Sequence, residues 1–265
     1  IVDYKKIINC KLFKNLTLGI NPKLFTSEQI KRYFLKNNKI KIINFDLIQK
    51  ISQKKIKKTK PFFSLSKNIV GEASSSKIKK TCNHLKKNKS NYFFISAPEN
   101  VSWLLNIRGF DNPNSPVCNC HLFLNEKRKF FLIAKKTKIK NLIKEKKINL
   151  QQVIEPNDFN SFINKFKDGS ILIDTQTCSI FYEQILNKKF KILKKEDPIY
   201  LLKAVKNKIE IKNMVNAHID DGVALTKFLY WIKKVNKKKI TEFDAQKKLE
   251  RFRKNNSNYL FPSFN

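Results

Sequence analysis

The segment that most strongly predicts the fold of this chain reads Ala97-Pro98-Glu99-Asn100-Val101-Ser102-Trp103-Leu104-Leu105-Asn106-Ile107-Arg108-Gly109-Phe110-Asp111. An apolar helix that contains Trp103 is expected over residues 99–105. It ends in an Asn-Ile-Arg-Gly run, where Gly109 can adopt the left-handed conformation that closes helices. We expect Arg108 and Asp111 to pair at the mouth of the following loop and to fix the turn at 112–116.

Residues on both sides of this segment alternate between helix-like and strand-like patterns. The stretch 74–87 carries apolar residues at helical spacing, and 91–96 is aromatic and β-branched, as in a strand. Residues 117–124 and 129–134 predict a hairpin that turns at 125–128. Further helices are expected at 138–146, 157–166 and 177–186, and further strands at 152–154, 170–174 and 189–193. The alternation predicts an α/β fold in which helices cover the faces of a mixed sheet.

A smaller α/β unit is predicted before this sheet. Strands at 16–20 and 39–45 enclose a helix whose capping residues begin at Thr26. The lysine-rich stretch 54–61, closed by a proline, is the best linker in the sequence. We therefore place the first domain at 1–60 and the second at 61–196.

A helical segment is predicted after the sheet, at 197–265. Residues 209–233 place an apolar stripe on one face of a long helix, and we expect that face to be packed. The apolar stripe of this long helix consists of Ile211, Val215, His218, Gly222, Leu225, Leu229 and Ile232.

Thr241 and Asp244 resemble a capping box that opens another helix, which runs to about residue 254.

The charge of the chain is strongly positive, with Lys+Arg 56 against Asp+Glu 21 and a formal net charge of +35. Five of the basic residues are arginine, which leaves 56 − 5 = 51 lysines. Basic runs at 54–60, 135–147 and 233–239 would attract phosphate. Arginine is scarce, however, and lysine, asparagine, isoleucine and phenylalanine, which have A/T-rich codons, are enriched together. We expect no specific nucleic-acid partner.

Composition also indicates which class of protein this is and in which cellular compartment it is expected. A hydrophobic fraction of 41% supports a real core and excludes global disorder. No apolar stretch reaches the roughly 20 residues that a membrane helix needs. No signal-peptide pattern is recognised and the number of cysteines, 5, is odd, so a cytoplasmic protein is expected. Because the chain opens on Ile1, we expect a fragment or a processed chain.

Two groups of side chains resemble reactive or metal sites. Cys118, Cys120 and His121 lie at close spacing, but zinc would need further ligands, and in a strand the cysteines would face the core. His218 and Asp221 lie side by side on the long helix, a spacing that is common on any helix. The further zinc ligands could come only from Cys82, Cys178 or His84.

No phosphate-binding loop is found, because the glycines are scattered singly.

The segment around Trp103 resembles the aminopeptidase P (Xaa-Pro aminopeptidase) family, whose middle domain carries a Trp-Leu-Leu-Asn-Ile-Arg-Gly-x-Asp signature. The family has Asn-Pro-Val shortly afterwards, where this chain has Ser115-Pro116-Val117. Two later stretches, 202–225 and 240–264, resemble the entry into that family's catalytic domain, and weaker matches fall at 19–22 and 46–48. The signature residues here are Trp103, Asn106, Arg108, Gly109 and Asp111.

The resemblance implies two creatinase-like domains followed by a pita-bread metallopeptidase domain. In the family, two aspartates, one histidine and two glutamates hold two divalent ions, usually manganese, and the enzyme cleaves before a penultimate proline. The parent enzyme would commonly be a homodimer. None of the five ligands has a counterpart here, and His218, Asp220 and Asp221 do not replace them. We therefore expect no catalytic or metal residue and no identifiable substrate-binding residue in this chain.

Three hypotheses follow from these observations. The first is an inactive fragment of a cytosolic Xaa-Pro aminopeptidase, with a truncated pita-bread domain. The second is a non-catalytic relative that serves as a scaffold or binding module. The third is a lysine-rich nucleic-acid binder.

Overall fold

The computed structural model describes residues 14–34, 38–45, 51, 60–236 and 239–263. The weak family match at 46–48, most of the lysine-rich linker and Phe264 lie outside the described residues. The strands are β1 (Thr17–Ile20), β2 (Lys39–Ile42), β3 (Phe63–Ser64), β4 (Tyr92–Ile95), β5 (Ile107–Arg108), β6 (His121–Asn125), β7 (Phe130–Ile133), β8 (Val153–Ile154), β9 (Ser170–Ile173) and β10 (Lys191–Lys194).

Most helices follow the predicted positions, with shifts of one to a few residues at their ends, but the short helices at Lys67–Val70 and Ile199–Ala204 were not predicted. Short 3₁₀ turns lie at Lys136–Lys138, Leu150–Gln152 and Pro156–Asp158. The α-helices are α1 (Ser27–Tyr33), α2 (Lys67–Val70), α3 (Ser74–Lys87), α4 (Pro98–Leu104), α5 (Lys140–Lys144), α6 (Phe159–Ile163), α7 (Ile180–Asn187), α8 (Ile199–Ala204), α9 (Lys208–Lys234) and α10 (Glu242–Lys254).

A six-stranded mixed sheet forms the centre of the chain, in the order β10-β9-β4-β6-β7-β8. Strands β10, β9 and β4 run parallel, β6 is antiparallel to β4 and β7, and β8 is parallel to β7. The antiparallel β6–β7 pair is the predicted hairpin. The α/β class with a mixed sheet is therefore confirmed.

Successive residues of the central strands point into two separate cores, as the pleat of a strand requires. Phe93 and Leu122 face a core built with α3, α4, α5 and α8. Phe94 and Phe123 face a second core built with α6 and α7. All four side chains are fully buried, and burying a phenylalanine stabilises the fold by about 2–3 kcal/mol. Helices thus cover both faces of the sheet, as predicted.

The predicted strand at 117–124 is wrong in its first half, because β6 begins only at His121. Before that residue the backbone N–H of Cys118 donates to Ser102 Oγ at 3.1 Å, and that of Asn119 donates to an Asp111 carboxylate oxygen at 2.8 Å. These amides are satisfied by side chains. They therefore leave no donor for a strand partner at these positions.

The first unit contains the parallel pair β1–β2 and helix α1, which the predicted capping box at Thr26 opens. It contacts the main sheet domain at α7 through main-chain groups. The N–H of Ile180 donates to Phe25 O at 2.9 Å, and the N–H of Phe181 donates to Pro22 O at 3.0 Å. Thr26 also forms an isolated β-bridge with Ser179.

The long helix α9 lies within two residues of its prediction, but its apolar stripe is not packed. Ile211, Val215 and Leu229 are each about half exposed, and His218 is exposed as well. Ala224 is the one residue of α9 that is buried among the described residues. The prediction of a packed stripe is therefore wrong within the described chain. The capping box at Thr241 that opens α10 is confirmed.

None of the helices in the described residues combines the length and the apolar character that a membrane span requires.

Candidate functional site

The signature segment forms a short helix, a sharp reversal and a short strand. Pro98 occupies the first turn of α4, where its missing N–H costs nothing. The chain then reverses at Asn106, whose φ is 56°. Asparagine tolerates this left-handed conformation better than most residues. The prediction that Gly109 takes this conformation is wrong, because Gly71 is the glycine with positive φ in the described chain.

Glycine is needed at position 109 because there is no room for a Cβ, and not because the backbone adopts an unusual conformation. A Cβ at this position would lie 3.0 Å from the Phe62 ring and 3.3 Å from the Cα atom of Cys118. Its N–H donates to Pro116 O at 3.2 Å, which closes the loop. Gly109 therefore lets the loop pack directly against the buried Phe62 ring.

Arg108 does not pair with Asp111, so that prediction is wrong. Its guanidinium turns inward and donates to Ser102 O at 3.0 Å and to Ile107 O at 2.8 Å. Burial lowers the pKa of Arg108, and the nearby Glu210 partly opposes this effect. The arginine therefore holds one carbonyl group in the last turn of α4 and one in β5, and it does not bind the Asp111 carboxylate.

Asp111 finds its partner elsewhere in the chain. One carboxylate oxygen pairs with the ammonium of Lys138, and the other accepts the Asn119 N–H at 2.8 Å. Each of the paired side chains is 10% exposed. The Lys138 backbone also accepts the N–H of Phe62 at 2.7 Å. The pair thus fixes the loop to the segment before α5.

Asn106 and Trp103 are held by a lysine that the sequence did not single out. Lys77 Nζ donates to Trp103 O at 3.0 Å and to Asn106 Oδ1 at 2.7 Å. It also lies 4.0 Å from the centroid of the Trp103 ring, within range of a cation–π interaction. The Trp103 Nε1 atom is buried and has no hydrogen-bond partner among the described residues. Trp103 therefore packs against the core and is not oriented by its own N–H.

The Cys118 and Cys120 thiols lie in the core, which confirms their interpretation as small buried residues. They are 0% and 2% exposed. Burial raises the pKa of the Cys120 thiol well above its ordinary value, and the neighbouring Cys118 thiol adds to the effect. A thiol with a raised pKa is a poor nucleophile and metal ligand at neutral pH.

His121 lies on the other side of the sheet, as its position in the strand predicts. Its Nδ1 atom is 2.9 Å from Ser96 O, and its ring packs against Phe94 and Tyr182. Burial lowers the pKa of His121 to about 4. The imidazole is therefore neutral at physiological pH and separated from the two thiols by the sheet.

A buried polar cluster between α4 and α8 was missed by the sequence analysis. Asn100 donates to an Asp197 carboxylate oxygen at 2.7 Å and accepts from Lys203 Nζ at 2.6 Å. The other Asp197 oxygen accepts the Ile199 N–H at 2.8 Å, which caps α8. An aspartate directly before Pro198 is a capping signal that could have been recognised. The interaction with Asn100, 97 residues away, could not.

Asp174 extends this cluster to the carboxyl ends of the parallel strands. Its carboxylate accepts the N–H groups of Asp197 at 3.0 Å and Gln176 at 2.8 Å. Burial raises the pKa of Asp197, the hydrogen bonds from Asn100 and Ile199 oppose the increase, the Asp174 charge adds to it, and the resulting pKa is about 6.

An open cleft of about 500 Å³ lies beside these residues. It is lined by Asp174, Thr175, Gln176, Thr177, Lys194, Lys195, Glu196 and Tyr200.

The described residues do not fit a metal centre. No group of three or more His, Cys, Asp or Glu side chains in the described ranges is placed to hold an ion. Asp221 instead pairs with Arg253 at 2.6 Å, and Asp220 accepts from Asn256. His218 is exposed beside them.

The signature residues therefore make structural contacts within the chain. Arg108 and Asn106 hold the end of α4 and the reversal after it, while Gly109 and Asp111 fix the following loop to Phe62 and Lys138.

Residues 53–210, more than half of the chain, match the family model of the Creatinase/Prolidase N-terminal domain, and the chain belongs to this family. The Xaa-Pro aminopeptidase 1 of Dictyostelium discoideum is 32% identical over 212 residues, which cover 76% of this chain. The Xaa-Pro aminopeptidase ApepP of Drosophila melanogaster is 31% identical over 190 residues, which cover 68%. The resemblance to aminopeptidase P is thus confirmed.

Among solved structures, the X-prolyl aminopeptidase of Caenorhabditis elegans matches 99% of this chain with a TM-score of 0.82 and 22% identity. That protein is described as a cytosolic enzyme with a di-nuclear active site. The likeness shows a shared fold. The chain spans 45% of that structure, 33% of the Dictyostelium relative and 30% of the Drosophila relative.

Proposed function

We propose that this chain is part of a metal-dependent Xaa-Pro aminopeptidase, a hydrolase that removes the amino-terminal residue before a proline. The proposal rests on the family and on its curated relatives, which are Xaa-Pro aminopeptidases. In the whole protein two divalent ions, manganese in our proposal, would activate the attacking water. The description of the Caenorhabditis enzyme as di-nuclear supports the number of ions.

The exposed face of α9 is the observation that carries this proposal within the chain itself. Ile211, Val215, Ile219 and Leu229 form an apolar stripe, and each is 49–59% exposed. Contiguous apolar surface of this kind is normally covered by other protein. In our proposal the catalytic domain of the whole protein covers it, because the relatives are two to three times as long as this chain.

The proposal assigns roles to the parts of the chain. Residues 1–60 belong to a first creatinase-like domain, 61–196 form the second, and 197–265 begin the pita-bread domain. The signature loop then holds the second domain in shape beside the catalytic domain, and residues 1–265 do not hydrolyse peptides alone. We further propose a cytoplasmic protein that acts as a homodimer, with no specific nucleic-acid partner.

The test compares the 265-residue chain with the protein encoded by the complete reading frame. Both are assayed with manganese on a peptide with proline in the second position and on a matched peptide with alanine there. We expect metal-dependent cleavage of the proline peptide by the longer protein alone. The longer sequence should also contain two aspartates, one histidine and two glutamates as ligands. Turnover by the 265-residue chain, or a longer protein without these ligands, would contradict the proposal; the second result would favour a scaffold.

A further inference from the structure

Lys77 is one of the most deeply buried side chains in the described chain, with 1% of its surface exposed. A lysine is rarely found in such a position, because removing an ammonium from water costs several kcal/mol unless it is well paired. Here it donates to Trp103 O and Asn106 Oδ1, and it faces the Trp103 ring. Its three interactions all involve the end of α4 and the reversal that follows.

A chain of hydrogen bonds continues from Asn106 to the start of the long helix. Asn106 Nδ2 donates to Glu72 O at 2.8 Å. Glu72 follows Gly71, whose positive φ and lack of a side chain allow Asn207 to approach. A Cβ at Gly71 would lie 2.3 Å from Asn207 Oδ1. Asn207 Nδ2 in turn donates to Val70 O at 2.8 Å.

The same asparagine caps α9. Asn207 Oδ1 accepts the N–H groups of Ile209 at 3.0 Å and Glu210 at 2.9 Å, and the Glu210 carboxylate accepts the Asn207 N–H at 2.9 Å. One turn later, Asn213 Nδ2 donates to carbonyl oxygens of α2 at 3.1–3.2 Å. The amino end of α9 is thus held by α2 and by the turn that leads to α3.

The direction of α9 depends strongly on this end. The helix has 27 residues, and Ala224 is its one buried residue among those described. At 1.5 Å per residue such a helix is about 40 Å long, so a tilt of about 10° at its start would move its far end by about 7 Å. A small change at the cap would therefore produce a large displacement.

We propose that Lys77 is a positioning residue that sets the direction of α9 relative to the six-stranded sheet. Its ammonium fixes Asn106, Asn106 fixes the turn at Glu72, and that turn receives the Asn207 cap. This inference concerns the geometry of the chain itself. It does not depend on the peptidase activity proposed above.

The protonation state of Lys77 changes at a mildly alkaline pH. Burial lowers the pKa of Lys77, the carboxylates of Glu210 and Glu72 oppose the decrease, the Arg108 and Lys80 cations add to it, and the resulting pKa is about 8. Because burial of the ammonium is unfavourable, deprotonation removes this penalty, and the neutral amine still has N–H groups for Trp103 O and Asn106 Oδ1. The position of α9 should therefore become better defined as pH rises through about 8.

The experiment measures the distance between two spin labels by pulsed electron paramagnetic resonance. One label is placed on the exposed β6–β7 turn through Lys127→Cys and the other on the exposed far part of α9 through Lys227→Cys. Cys10→Ser serves as the background, because the cysteines among the described residues are buried. At about pH 9.5 the reference chain should give one narrow distance distribution.

Lys77→Met should broaden this distribution, or shift it by about 5 Å or more, because the link between the signature loop and the cap is lost. Lys79→Met removes an exposed lysine from the same helix and is the matched control. It should leave the distribution unchanged. If Lys77→Met and Lys79→Met give the same distribution, Lys77 does not position α9.

A second measurement does not depend on the folding of Lys77→Met. In the reference chain, lowering the pH from about 9.5 to about 6.5 should broaden the distribution reversibly, with a midpoint near 8. Lys77→Arg, which stays charged over this range, should remove the pH dependence. A reference distribution that is constant across this range would overturn the proposed control by the Lys77 charge.

Discussion

Protonation of Asp197 is expected to stabilise the folded chain as the pH falls below neutral. Its side chain is 2% exposed, and it accepts hydrogen bonds from Asn100 and from the N–H of Ile199. The neighbouring Asp174 carboxylate accepts the N–H of Asp197. Burial, reinforced by the Asp174 charge, raises the pKa of Asp197 from 3.8 to about 6. The charged form is therefore disfavoured in the folded state.

The sign and size of the effect follow from proton linkage. Between about pH 4 and pH 6 the folded state binds the Asp197 proton more tightly than the unfolded state does, so the free energy of unfolding decreases as the pH rises. The penalty is absent below this range and complete above it. The difference between 3.8 and about 6 corresponds to about 3 kcal/mol, at about 1.4 kcal/mol for each pH unit.

Urea unfolding followed by circular dichroism, at a series of pH values between about 4 and 7.5, measures this contribution. The wild-type chain is compared with Asp197→Asn, which cannot titrate. Carboxyl groups that do not interact with Asp197 contribute equally to both chains, including Glu72, whose pKa is lowered by Lys80 and Ser76 against the effect of burial. The difference between the two curves therefore isolates Asp197. Glu196→Gln, an exposed neighbour, is the matched control.

We expect the difference in unfolding free energy between wild type and Asp197→Asn to change by about 3 kcal/mol across this range, with wild type losing stability as the pH rises. Glu196→Gln should follow the wild-type curve. Parallel curves for wild type and Asp197→Asn would refute the reasoning. So would a slope of the opposite sign, because it would mean that Asp197 is stabilised as the anion.

Three further substitutions test the loop and the helix, and thermal unfolding measures each of them. Gly109→Ala should destabilise the chain by about 1–3 kcal/mol, because its Cβ would press on the Phe62 ring; an unchanged midpoint would contradict the close packing described. Gly222→Ala should instead stabilise by about 0.5–1 kcal/mol, since a Cβ there meets nothing within 4 Å and alanine favours helix; a loss of stability would exclude this account. Lys138→Met should cost about 3 kcal/mol or more by leaving Asp111 buried without its cation, and a cost below about 1 kcal/mol would show the pair to be solvated.

Local patterns in the sequence predicted most of the fold. Helix α3 was predicted to the residue over 74–87, and the capping boxes at Thr26 and Thr241 were recognised because their partners lie three residues away. Cys118 and Cys120 are buried as expected, although the alternation used to predict this does not apply, because neither residue lies in a strand. The strand expected around them was wrong because Ser102 and Asp111 take their backbone donors.

The site was harder to predict, because its contacts join distant parts of the chain. Asp111 was expected to bind Arg108, three residues away, but it pairs with Lys138. Lys77 was not singled out because nothing local distinguishes it from the other 50 lysines, and only the tertiary structure buries it. The stripe on α9 was recognised as apolar, but periodicity does not say whether another element of the same chain covers it.

The contact between the first unit and the main sheet domain has a consequence for sequence divergence. The two N–H groups of α7 donate to the carbonyl oxygens of Phe25 and Pro22, so these contacts are made by main-chain atoms that every residue type except proline supplies. Side chains at these positions can be replaced without removing these hydrogen bonds. The relative placement of the two units can therefore persist while their sequences drift.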